Sequence, residues 1–93
     1  MDLPTGRITI PKEVVRRAFG EDKVLLNLST GHYHGLNPTG FFMVALLEET
    51  GEALLTAQRT SVELKTPLHR VTEDLAALCA DLEQRGLIEI DGS

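Results

Sequence analysis

Histidine, cysteine and paired carboxylates are the residues of this chain that could do chemistry, and their spacing decides what they can do. His32 and His34 stand two apart in the run GHYHG, so on a strand both point to one face and could begin a metal site. Zinc needs three or four ligands at close spacings, and the other candidates, His69 and Cys79, lie far along the chain. The pair therefore reads as strand histidines, with no metal. Cys79 sits beside an apolar helical stripe near Asp81 and Glu83, whose charges would raise a thiol's pKa, so it reads as a small packing residue and not a nucleophile. Glu48-Glu49 and Glu73-Asp74 read as solvated helix faces, not as an acid and base pair. There is no phosphate-cradling glycine loop, no G-x-S-x-G and no H-E-x-x-H. The expectation is a protein that is not an enzyme and uses no cofactor.

The elements that must position these residues are well punctuated. Arg7–Ile10 (RITI) suits a short strand that stops at Pro11, near an edge because proline cannot donate to a ladder. The following KEVVRRAFGED fits either a turn of helix or a loop. Lys23–Leu28 has the period of two of a strand, with Val24, Leu26 and Leu28 on one face. Ser29-Thr30-Gly31 supplies a turn, and His32–Leu36 returns antiparallel. A three-residue loop sets Leu28 opposite His32, Leu26 opposite His34 and Val24 opposite Leu36; a two-residue loop sets Tyr33 opposite Leu28. Both registers are open at this point.

Asn37-Pro38 reads as an N-cap with proline at the first helical position, which predicts a helix from Pro38 to about Glu49 ended by Gly51. A second helix is expected over roughly Glu52–Thr60. Thr66-Pro67 repeats the cap-and-proline start of a third, in which Leu68, Val71, Leu75, Leu78 and Leu82 recur at spacings of three and four until Gly86. The tail Leu87–Ile90 should fold back on the core. Two or three strands followed by three helices describe an α+β domain of winged helix-turn-helix type, a three-stranded antiparallel sheet followed by three helices.

Composition limits the partners. Ninety-three residues make one domain, here residues 1–93 with a core of about 7–90. The longest apolar run, Phe41–Leu47, is far short of the ~20 residues that cross a membrane. The single cysteine and the MDLPTG start, which is unlike a signal peptide, give the expectation of a cytoplasmic protein. A net charge of −5 disfavours a phosphate backbone, although Arg7, Lys12, Arg16, Arg17 and Lys23 gather near the N-terminus. What stands out is the strand His32-Tyr33-His34-Gly35-Leu36, which carries no Lys, Arg, Asp or Glu. Natural sheets protect their edges with charge, proline or bulges, so an edge strand like this is a template on which an extended peptide can add.

The run VLLNLSTGHYHGLNPTG, then an apolar helix, then V-x-x-D-L-x-x-L-x-x-x-L-E-x-R-G-L-I resembles the PqqD-like peptide chaperones, also called RiPP recognition elements. Within them it is most similar to the stand-alone recognition proteins of lasso peptide biosynthesis, over about Val24–Ile90. The resemblance implies a winged-helix-like fold that binds the leader of a ribosomally made precursor peptide as a strand added to the third strand of its sheet. It places the peptide-binding residues at His32, Tyr33, His34, Gly35 and Leu36 on the strand and at Val71, Asp74, Leu75, Leu78, Cys79 and Leu82 on the third helix. Pockets lined by Tyr33, Leu75, Leu78 and Leu82 would read an aromatic or aliphatic anchor. It also implies two partners, a leader peptidase and an ATP-dependent cyclase. The chain departs from the family at Asn27, where an acidic residue is common, and at Val44, where a bulky aromatic is expected.

The same elements could serve a winged-helix DNA-binding transcription factor, but its recognition helix, Pro67–Arg85, would carry Glu73, Asp74, Asp81 and Glu83 into the major groove. A third reading, self-association through the strand edge, needs no peptide at all.

Overall fold

Strand and helix boundaries follow the punctuation of the sequence. The computed structural model describes residues 2–92. In chain order the elements are β1 (Ile8–Thr9), β2 (Val14–Phe19), β3 (Asp22–Asn27), β4 (Tyr33–Leu36), α1 (Pro38–Thr50), α2 (Ala53–Glu63), α3 (Leu68–Gln84) and β5 (Glu89–Ile90). β2, β3 and β4 form a three-stranded antiparallel sheet in that order, and the three helices follow it. The α+β winged-helix arrangement is present, but its first strand is not RITI. That segment supplies β1, which pairs with β5 in a separate two-stranded ribbon, Ile8 opposite Ile90 and Thr9 opposite Glu89. The first strand of the main sheet is Val14–Phe19, the stretch that fitted helix or loop. Gly20, at φ 62°, opens the two-residue turn that joins Phe19 to its partner Asp22. Glycine at that first turn position matches the twist of a hairpin.

The β3–β4 register is neither of those expected. Lys23 faces Leu36, Val24 faces Gly35, Leu25 faces His34 and Leu26 faces Tyr33. Asn27 N–H donates to His32 O at 2.9 Å, which leaves residues 28–31 as the loop. Asn27 explains the extra residue. Its Oδ1 accepts from Ser29 N–H at 2.8 Å and from Thr30 N–H at 3.2 Å, an Asx turn that satisfies loop donors inside the turn. A carboxylate at this position offers the same acceptor, so the departure from the family's acidic residue keeps the loop's chemistry.

The helices start and stop as their caps dictate. Asn37 Oδ1 accepts from Gly40 N–H at 2.7 Å with Pro38 at the first helical position, and Gly51 ends α1 in the left-handed region at φ 69°. α2 runs three residues beyond its expected end. Thr66 does not cap α3: its hydroxyl bonds to Leu64 O, and Pro67 takes the cap position without a side-chain bond. At the far end Gly86 N–H donates to Glu83 O at 3.0 Å and Leu87 N–H to Leu82 O at 2.9 Å, a Schellman stop that turns Leu87 and Ile88 back into the core.

The core lies between the helices and one face of the sheet. Leu25, Val44, Leu47, Leu75, Cys79, Leu82 and Ile88 are fully buried there, with Leu36 and Leu78 packed at its margin. Val44 is thus an interior residue and lines no surface.

Candidate edge-strand peptide site

Ladder alternation determines what β4 offers to its surroundings. Because Asn27 and His32 form a hydrogen-bonded pair, so do Leu25 with His34 and Lys23 with Leu36. Tyr33 and Gly35 therefore turn their N–H and C=O groups away from β3. β4 has no neighbour on that side, and among the described residues no loop or side chain caps either residue. The opposite edge is protected. By the same alternation Arg16 C=O on β2 faces outward, and the guanidinium of Arg17 donates to it at 2.8 Å. Arg16 itself is held by Glu48 at 3.2 Å and lies 5.2 Å over the Phe41 ring. One edge is thus charged and partly self-capped, while the other is uncharged and open.

The side chains of β4 divide between two faces. His34 and Leu36 turn toward the helices and are half-buried, whereas Tyr33 turns to the outer face of the sheet and is 73% exposed. On the helix side, β4 is fastened to α3 by Asp81. One carboxylate oxygen lies 3.3 Å from His34 Nε2, an ion pair when the imidazole is protonated, and the other accepts from Arg85 Nε at 3.0 Å.

Two hollows flank this link, one lined by His34 and Arg85 and the other by Asp81. One, of about 310 Å³, is lined by Asn27, Thr30, His32, Tyr33, His34, Arg85 and Leu87. The other, of about 430 Å³, lies between the start of α1 and α3 and is lined by Asn37, Thr39, Gly40, Met43, Asp74, Ala77, Leu78 and Asp81. The first, at the His32 end of β4, is polar; the second, a groove between α1 and α3 just past Asn37, carries Asp74 and Asp81 beside an apolar floor.

Of the residues expected to bind peptide, the structure brings His32, Tyr33, His34, Asp74 and Leu78 to these hollows, and places Gly35 and Leu36, again with Tyr33, on a third hollow of about 640 Å³ that Phe19, Val24 and Leu26 also line. Val71, Leu75, Cys79 and Leu82 lie elsewhere. They are buried in the core, where they back the surface of α3 and line none of these hollows. Tyr33 is across the sheet from Leu75, Leu78 and Leu82, so these four do not form one pocket. Burial, and after it the charge of Glu83, pushes the Cys79 thiol up to about 11, as befits a packing residue. Sequence reasoning missed Ala77, Asp81 and Arg85. They continue a stripe from Asp74 at spacings of three and four, one step around α3 from the buried leucines. That second stripe was the available signal.

Among the described residues, no three of His, Cys, Asp or Glu are grouped to hold a metal, and no helix is long and apolar enough to cross a membrane.

A family model described as coenzyme PQQ synthesis protein D (PqqD) matches residues 22–88. The chain is similar to the solved structure of TbiB1 in complex with the TbiA(beta) leader peptide, with a TM-score of 0.74 and 28% sequence identity over 91% of this chain and 96% of that one. It is also similar to lasso peptide synthetase B1 complexed with the leader peptide, with a TM-score of 0.76 and 24% identity over 89% of this chain and 98% of that one, a likeness of fold. No curated protein matches.

Proposed function

The chain belongs to the PqqD family, and from that premise we propose that it is a non-catalytic protein that binds the leader region of a ribosomally synthesised precursor peptide. The guest adds as a strand beside β4, with Tyr33 and Gly35 supplying the backbone groups. The observation that carries this reading is the contrast between the sheet's two edges, one shielded by Arg17 and one uncharged and unpartnered. The fold it shares with TbiB1, a protein solved with a leader peptide bound, supports it.

Magnitudes show that the backbone alone is insufficient. Tyr33 and Gly35 each offer one donor and one acceptor, and at about 0.5–1.5 kcal/mol net per hydrogen bond they supply about 2–6 kcal/mol. A micromolar complex needs about 8 kcal/mol, before the cost of ordering the peptide. Side chains must provide the rest, and half-buried Leu78 on the groove floor is placed to do so, with Asp74 and Asp81 offering charge to a basic residue. Presentation of the bound leader to a leader peptidase and an ATP-dependent cyclase is the role this binding serves in the proposal.

The test is a fluorescence polarisation titration with labelled lasso precursor leaders, the TbiA(beta) leader first, together with amide hydrogen exchange. Saturable binding with slowed exchange at Tyr33 and Gly35 is the expected result. Binding that leaves both amides exchanging as in the free protein would remove strand addition from the proposal.

A further inference from the structure

His34 is the only residue from Leu28 to Gly35 that is not exposed. That run holds the hairpin tip and most of β4, whose single neighbour in the sheet is β3. His34 also stands between Tyr33 and Gly35, the two residues whose N–H and C=O groups point outward. Its Nε2 lies 3.3 Å from Asp81 Oδ2 on α3, and the other oxygen of that carboxylate is held by Arg85 Nε at 3.0 Å. Among the described residues this is the one polar link between β4 and α3. A carboxylate fixed through one oxygen to its own helix, with the other turned to the open edge, has the form of a strut across the gap.

We propose that Asp81 is a positioning residue: its ion pair with protonated His34 sets the open edge of β4 at the spacing from α3 that a guest strand requires, and makes guest binding tighten as pH falls. The inference rests on the strand-addition reading and adds regulation to it. A guest pairs only with an edge whose outward groups lie in line, so its apparent affinity scales with the fraction of molecules whose edge is so held. With a neutral imidazole β3 alone holds that state; an imidazolium adds the attraction of Asp81, which Arg85 keeps in place. Protonation creates the pair, so binding is tightest below the range in which an imidazole titrates and weakens as pH rises through it. The pair is partly open to water, with side-chain exposures of 23% for His34 and 42% for Asp81, which limits its effect to about fivefold. Other charges near His34 are few. Arg85 and His32 line the same hollow, Asp74 lies earlier on α3, and Lys23 of β3 stands opposite Leu36. Directly opposite His34, β3 presents Leu25, which carries none.

The test uses a histidine-free peptide from a phage-displayed random library selected on the wild-type protein, labelled with a pH-insensitive rhodamine and titrated by polarisation from about pH 5.5 to about pH 8. Amide hydrogen exchange identifies the peptides that protect Tyr33 and Gly35. Wild type is expected to bind these about fivefold more tightly at the acid end. Both side chains of the pair are partly exposed, so Asp81→Asn and His34→Gln are expected to keep the wild-type circular dichroism spectrum. Each should bind across the whole range as wild type does at the basic end, whereas His32→Gln keeps the wild-type slope. In the free protein at about pH 5.5, the His34 amide should exchange about fivefold faster in Asp81→Asn than in wild type. A slope that survives Asp81→Asn or His34→Gln, or one that disappears in His32→Gln, overturns the inference. So does a flat wild-type profile with Tyr33 and Gly35 protected, which leaves strand addition standing. If no selected peptide protects those amides, both readings fall.

Discussion

Leu75 and Leu78 are three residues apart on α3, both were expected to touch peptide, and the structure separates them. Leu75 is 0% exposed among Leu25, Leu47, Val71 and Cys79, whereas Leu78 is half-buried on the groove floor. Truncating a fully buried leucine to alanine removes its transfer free energy and leaves a cavity, at a cost of about 3–5 kcal/mol. A domain of this length has about 5–14 kcal/mol in total, so Leu75→Ala forfeits a large share of it. At about 4–8 °C per kcal/mol, the melting temperature falls by about 12 °C or more. Leu78→Ala removes contacts on one side only, and about 1 kcal/mol is the expected loss. Urea unfolding followed by circular dichroism at 222 nm measures both, and peptide titration of the folded variants completes the comparison. Leu75→Ala should lose stability and, where still folded, keep its affinity; Leu78→Ala should do the reverse. A Leu75→Ala protein within about 1 kcal/mol of wild type that no longer binds peptide would refute the assignment of α3's faces.

Further tests concern the elements that frame the site. Asn37→Ala deprives Gly40 N–H of its acceptor and should cost about 1 kcal/mol in urea unfolding, with Asn37→Asp retaining most of it. Asn27→Ala removes the acceptor for Ser29 and Thr30, and should weaken the Leu26–Tyr33 cross-strand Hα NOE that Asn27→Asp preserves. Cys79 should resist thiol reagents until the protein unfolds. Its folded pKa, about 11, lies above the ordinary 9.0, so its contribution to stability is complete below pH 9 and is lost as pH rises through 11. Cys79→Ala should flatten the unfolding free energy across that window.

The helices were legible because their signals are local. Asn37-Pro38, Gly51 and Gly86 fix ends through the backbone of their own turns, and the leucine spacing of α3 fixes its buried face. Thr66 misled because Pro67 itself occupies the cap position and the hydroxyl finds Leu64 O. Strands depend on partners distant in sequence, and there the reading slipped. VVRRAF mixes faces because Arg16 packs over Phe41 on the helix side, which obscures the period of two. RITI has a strand's composition, but its partner is the tail 80 residues on. The register turned on Asn27, which stood out in the sequence only as a departure from the family and not as a loop acceptor. For the site, the open edge was visible in the absence of charge from His32 to Leu36, whereas the use of α3 by two adjacent stripes required knowing which one the core had taken.

The ribbon of β1 and β5 has a practical consequence for handling the protein. With Ile8 against Ile90 and Asp91 N–H bonded to Arg7 O at 2.9 Å, the chain returns to where it set out. Arg7 and Asp91 therefore lie at one spot, from which the segments outside the ribbon depart. A short glycine-serine bridge across that spot, with new termini cut elsewhere, should give a circular permutant that keeps every strand pairing of the main sheet.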